Sequence, residues 1–151
     1  MRDFADLAAM QAELGCEVAV SDWVEISQRR IDTFADATGD HQWIHVDTER
    51  CLRESPYGGT VAHGFLTLAL LPAMLQNAVS MGGVALAINY GLNQVRFPAP
   101  VPVGSRLRAR LSILAVSELD DGAQVNWGVA IEREGGDKPV CVAQFLMRRY
   151  P

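Results

Sequence analysis

Apolar residues recur along this chain with two different periods, which divide it into a largely helical first half and a strand-rich second half. Phe4, Leu7, Ala8, Gln11 and Leu14 fall at helical spacing, predicting a first helix that Gly15 ends. Cys16 to Ile26 then reads as a strand. Ser27 is a good N-cap for a second helix, with Ile26 and Ile31 placed as a hydrophobic staple across the cap. Ile31, Phe34, Ala35 and Thr38 give this helix one stripe, and Gly39 stops it, so Asp40 emerges at a defined point. From Asp40 to Thr60, polar residues, Pro56 and the Gly58-Gly59 pair predict an ordered loop.

Gly64 to Met81 is apolar on nearly every side, which predicts a helix wrapped by other structure and bent at Pro72. The wrapping comes from strands. Val84, Leu86, Ile88 and Tyr90 alternate with smaller residues; the phase then slips at Gly91, so that Val95 and Phe97 carry the large positions, as at a bulge. Pro98, Pro100 and Pro102 stiffen the connection to a strand in which Leu107, Ala109, Leu111 and Ile113 alternate with Arg106, Arg108, Arg110 and Ser112. Asp120-Asp121-Gly122 and Gly135-Gly136-Asp137 supply two hairpin turns, flanked by Val125, Trp127, Val129 and Ile131 and by Val140 and Val142. The pattern is α+β, with an antiparallel sheet and one long buried helix.

Composition narrows the class. A chain of 151 residues that is 49% hydrophobic suits a single domain over 1–151 with a substantial core. The formal net charge of -5 argues against a nucleic-acid binder. Cys16, Cys51 and Cys141 are odd in number and widely spaced, which fits a reducing, cytoplasmic setting and offers no metal-ligand spacing. The apolar run from Phe65 to Leu75 is far shorter than the roughly 20 residues that span a bilayer, so no membrane partner is expected.

All three histidines, His41, His45 and His63, fall in one short region, and Asp40 lies five residues before His45. That clustering points to chemistry. His41 and His45 share the four-residue spacing of a zinc helix, but Gln42 stands where such a motif needs its Glu, and the stretch follows a helix stop. No metal is therefore expected. His63 is read as a group that bonds locally at the helix mouth, and with Gln42, Trp43 and Tyr57 it stands among the residues expected near substrate.

Gly39-Asp40-x-x-x-Ile44-His45, His63-Gly64 opening the apolar helix, and Tyr90-Gly91-Leu92-Asn93-Gln94-Val95-Arg96-Phe97 before Pro98 together resemble the MaoC-like dehydratases, the R-specific enoyl-CoA hydratase family. Asp40 to Asp47 with Ala62 to Leu68 is similar in particular to the branch named after nodulation protein N. The resemblance spans the chain from about Ser21 onward and implies a hotdog fold, a sheet wrapped around a central helix, in a homodimer. It implies addition of water to trans-2-enoyl thioesters of coenzyme A or acyl carrier protein, with no cofactor. Asp40 and His45 become the catalytic pair and Gly64 the backbone donor to the thioester oxygen. Between the two side chains Asp40 is the favoured base, with His45 orienting the water, although spacing alone leaves the order of proton transfer open. The family commonly has Asn-Pro where this chain has Gln42-Trp43, which puts the acyl length in question. Arg96, Arg106, Arg108 and Arg110 read most simply as a solvated face, with attraction of coenzyme A phosphates as the functional alternative. Two rival readings remain: a hotdog thioesterase, and a non-catalytic acyl-binding partner subunit.

Overall fold

A computed structural model describes residues 1–151. Its elements are β1 (Arg2–Phe4), α1 (Leu7–Gln11), β2 (Glu17–Val20), β3 (Val24–Glu25), α2 (Gln28–Thr38), α3 (Trp43–Val46), α4 (Thr48–Glu54), α5 (Gly64–Ala69), α6 (Leu71–Ala78), β4 (Val79–Met81), β5 (Leu86–Arg96), β6 (Arg106–Leu119), β7 (Gly122–Arg133) and β8 (Pro139–Tyr150). One six-stranded sheet runs β2-β6-β7-β8-β5, with β3 also paired to β6, and all its pairings are antiparallel.

Strict alternation makes this sheet one-sided. Leu107, Ala109, Leu111 and Ile113 of β6 face Val125, Trp127, Val129 and Ile131 of β7 and Phe145 and Met147 of β8 in one core. Against that face lie Leu66 of α5 and Leu71, Met74 and Leu75 of α6. Each fully buried side chain of this kind contributes about 1.5–3 kcal/mol. On the outer face Arg106, Arg108 and Arg110 pair with Glu134, Glu132 and Glu17. These arginines form the solvated face expected of them.

The structure corrects several sequence expectations. The expected helix from Phe4 to Leu14 shortens to Leu7–Gln11, capped by Asp6, whose Oδ1 accepts the Ala9 N–H at 2.8 Å; Arg2–Phe4 is instead a strand pairing in parallel with β4. The expected strand Cys16 to Ile26 is split into β2 and β3 around Ser21, whose hydroxyl accepts the Ala109 N–H. The loop from Asp40 to Thr60 contains two short helices, α3 and α4. The long helix is two, parted at Leu70, which puts Pro72 in the first turn of α6. There its missing N–H costs nothing, whereas an interior proline costs about 3 kcal/mol. Its last residues, Val79–Met81, are strand β4.

The register of β5 on β8 shifts between Asn89 and Gly91 and again between Leu92 and Gln94, at the slip the sequence showed. Contrary to the expectation that β5 helps wrap the helix, Leu86, Ile88, Tyr90 and Leu92 are exposed, because β5 is the edge of the sheet while α5 packs on β8 and α6 on β6.

Candidate active site

Helix α2 delivers the acid. Ser27 Oγ accepts the Arg30 N–H at 3.3 Å to start the helix, and Gly39, in the left-handed region at φ 77°, ends it. Glycine reaches that conformation without strain. Just beyond, Asp40 turns the chain, its Oδ1 accepting the Gln42 N–H at 3.3 Å, and α3 begins. Only four residues long, α3 is held by its neighbours: the buried Cys51 thiol donates to the Trp43 and Ile44 carbonyls, and Gln28 Nε2 donates to the His45 carbonyl at 2.8 Å. Gln28 Oε1 also accepts the Thr60 hydroxyl, tying the first turn of α2 to both sides of the loop. No local pattern marks Gln28 or Thr60, since their partnership spans 32 residues.

His45 is buried, and its Nδ1 lies 2.6 Å from the Val61 carbonyl oxygen. A carbonyl only accepts, so Nδ1 carries the proton and Nε2 presents a lone pair. Burial pushes the His45 pKa below its ordinary value against the opposing pull of the Val61 carbonyl, which keeps the ring neutral. The His63 ring stacks on it, with centroids 3.7 Å apart, and His63 Nε2 donates to the Asp40 backbone carbonyl at 2.9 Å. His63 thus backs both members of the expected pair. Its Nδ1 is buried without a partner.

One polar atom from each of Asp40, His45 and His63 lies within 4.8 Å of the others. A water bonds at about 2.8 Å to each neighbour, so this spacing accommodates one water between the Asp40 carboxylate and His45. The same three residues are the set that comes nearest to a metal site. An imidazole, however, binds a metal in its own plane, and the His45 and His63 planes are only 26° apart and stacked, so their lone pairs do not converge on one point.

Beside the pair is a cavity of about 360 Å³ lined by His45, Tyr57, Gly64, Thr67 and Phe97, among others. Gly64 opens α5, and its N–H makes no hydrogen bond within the chain. A Cβ at Gly64 would lie 3.0 Å from the Phe97 ring, so this glycine serves close approach. The Thr67 hydroxyl, also buried and unpartnered, faces the same space. Tyr57 lines this cavity. Trp43 instead stacks under Arg50 at 4.2 Å, Gln42 contributes its backbone, and Arg96 bonds its own Val95 carbonyl and lines a different pocket. His41 pairs with Asp36 at 2.9 Å on the exposed side. Arg29 and Arg30, not singled out from the sequence, line a groove of about 540 Å³ with Phe34, whose ring sits 5.0 Å from that of His63.

Comparison with known proteins shows the family and the fold. The family described as MaoC like domain matches residues 9–134. The chain is 54% identical over 149 residues to a Mycobacterium tuberculosis protein named 3-hydroxyacyl-thioester dehydratase Z, covering 98% of each chain. It is 41% identical over 143 residues to nodulation protein N of Rhizobium leguminosarum, covering 93% of this chain and 88% of that one. Among solved structures, the unliganded R-hydratase PhaJ1 from Pseudomonas aeruginosa superposes with a TM-score of 0.74 at 24% identity, over 92% of this chain and 84% of the other.

Proposed function

The chain belongs to the MaoC-like dehydratase family of hotdog enzymes, and from that premise we propose that it interconverts trans-2-enoyl and (R)-3-hydroxyacyl thioesters by adding or removing water. The observation that carries this reading is the pairing of a neutral His45, its Nε2 free to accept, with the Asp40 carboxylate, beside the unpartnered Gly64 N–H.

In the hydration direction the conjugated thioester carbonyl lies against Gly64, and a water sits between Asp40 and His45. As the water oxygen bonds to C3, electrons of the double bond move toward the thioester oxygen, and the Gly64 N–H stabilises the charge gathering there. Asp40 takes the proton that the water loses and returns it to C2, so protons balance within one turnover. His45 Nε2 accepts a hydrogen bond from the water's other hydrogen, which turns a lone pair of the water oxygen toward C3. His63 is a positioning residue, holding the Asp40 backbone and the rear of the His45 ring. In this reading Arg29 and Arg30 would meet the phosphates of coenzyme A or the phosphopantetheine of a carrier protein, supported by their lining a groove beside Phe34. We assign the reaction no metal or redox cofactor, and the functional unit a homodimer.

Incubation of the purified protein with crotonyl-CoA tests the reading. Loss of the conjugated thioester with formation of the (R)-3-hydroxy product is expected, at an unchanged rate after dialysis against a chelator. Release of free thiol would make the chain a thioesterase, and activity only in the presence of a second, different chain would make it a partner subunit. A loss restored by zinc would turn Asp40, His45 and His63 into ligands.

A further inference from the structure

Strand β8 turns a charge inward. Its core-facing positions run Ala143, Phe145, Met147 and then Arg149, which is only 8% exposed. The outer-face arginines of β6 each have a glutamate partner, but the Arg149 guanidinium has no ion pair and no hydrogen bond, and its Nε is buried without an acceptor. Burial also pulls its pKa below the usual guanidinium value. A buried charge without a counter-ion is costly, so this position makes physical sense when an anion completes it. The residue is firmly rooted: a Cβ at Gly122 would fall 2.2 Å from the Arg149 carbonyl oxygen, so only glycine lets β7 close on it.

Arg149 separates two adjoining cavities of about 610 and 600 Å³, which also share Met81 and Val84. The first is walled largely by apolar side chains, including Leu7, Ala8 and Ala123. Volumes of this size are typical of small-molecule sites. The position is remote from the catalytic one: Arg149 pairs with Ala87 at one end of β5, whereas Arg96 and the following Phe97 lie at the other, about 30 Å away at the rise of a strand.

We propose that Arg149 anchors a second ligand site, which binds the carboxylate of a fatty-acid-like monoanion with its apolar tail between Leu7, Met81, Val84 and Ala123. One unpaired guanidinium matches one negative charge. Asp6, the N-cap of α1, also lines this cavity, and its negative charge opposes a dianion such as phosphate more strongly than a monoanion.

Calorimetric titration of the full chain with decanoate below its micelle concentration, alongside decanol and inorganic phosphate, tests the assignment. Decanoate is expected to bind once per chain, with decanol and phosphate at least tenfold weaker. Arg149→Met should weaken decanoate at least tenfold and Arg149→Lys less. Because the methionine variant removes an unpaired buried charge, it should melt higher than wild type without ligand, yet lose the rise that decanoate gives. Decanoate bound equally by wild type and Arg149→Met, or phosphate bound as tightly as decanoate, overturns the proposal. So does a change in the variant's mass by light scattering with no decanoate binding to wild type, which would make Arg149 a contact between copies of the chain. If the methionine variant fails to fold, the lysine variant and the comparison of decanoate with decanol still decide.

Discussion

At the scale of residues, one hydrogen bond sets much of the chemistry: the Val61 carbonyl fixes which nitrogen of His45 holds the proton. Asp40 and His45 share one water in the proposed reaction, so removing either should cost about as much as removing both. Asp40→Asn, His45→Gln and the double variant should each lose about 100-fold to 10,000-fold in turnover while melting near wild type, as steady-state rates and calorimetry can show. His41→Gln should keep most activity, because His41 faces Asp36 and solvent. The lowered pKa of His45 also gives stability a pH dependence. The unfolded ring takes up its proton near pH 6.5, the folded ring only below that, so the unfolded chain binds more protons in between. Stability from this group is complete above pH 6.5 and is lost as pH falls from there through the folded value. Melting temperatures followed across that window should decline on acidification, less steeply in His45→Gln. The placement of Asp40 after a helix stop and of Gly64 at a helix start was legible from local pattern, whereas their proposed roles with His45 came from the family resemblance. Gln28, Thr60, Thr67 and Phe97 were not assigned roles, because distant pairing and cavity shape make them matter.

At the scale of elements, α5 lines the cavity beside the candidate pair with Gly64 and Thr67. Gly64 has an ordinary helical environment, and what opposes a larger residue is the Phe97 ring at 3.0 Å. Gly64→Ala should therefore lower kcat for crotonyl-CoA with little change in melting, and Phe97→Leu in the same chain should restore part of it, since the leucine can give way. In α2, Arg29→Ala with Arg30→Ala should raise KM for a coenzyme A thioester while leaving kinetics on a truncated thioester without phosphates unchanged. Equal effects on both substrates would remove these arginines from the binding site. Element legibility followed locality. Helix α2 carries its own cap, stripe and stop, and β6 and β7 alternate over long runs, so these could be read directly; in β8 only Val140 and Val142 were picked out, and Val142 lies on the outer face, opposite Ala143, Phe145 and Met147. The Arg2–Phe4 strand could not, because its partner β4 lies far along the chain, with Asp3 bonded to a serine 77 residues away. The helices α3 and α4, of four and seven residues, are too short to hold alone and depend on Cys51 and Gln28.

At the scale of the whole molecule, the open edge of β5 is where the proposed homodimer would join. It presents unpaired backbone together with exposed Leu86, Ile88, Tyr90 and Leu92, a combination that soluble chains cover or pair. Light scattering should give the mass of two chains, and Ile88→Asp with Leu92→Asp should shift it to one. A stable, fully active monomer of the unaltered protein would exclude the dimer. The strand order also has a consequence in time. The hairpins β6-β7 and β7-β8 join neighbours in sequence, whereas β2 meets β6 only after β3, five helices, β4 and β5 have intervened, with Arg110 bonding Glu17 at a separation of 93 residues. Chain closure over such a distance costs entropy before any contact rewards it, so the meander should assemble first and β2 dock last. In stopped-flow refolding, Val125→Ala, inside the meander, should slow folding, whereas Val18→Ala, on the late strand, should leave folding nearly unchanged and hasten unfolding.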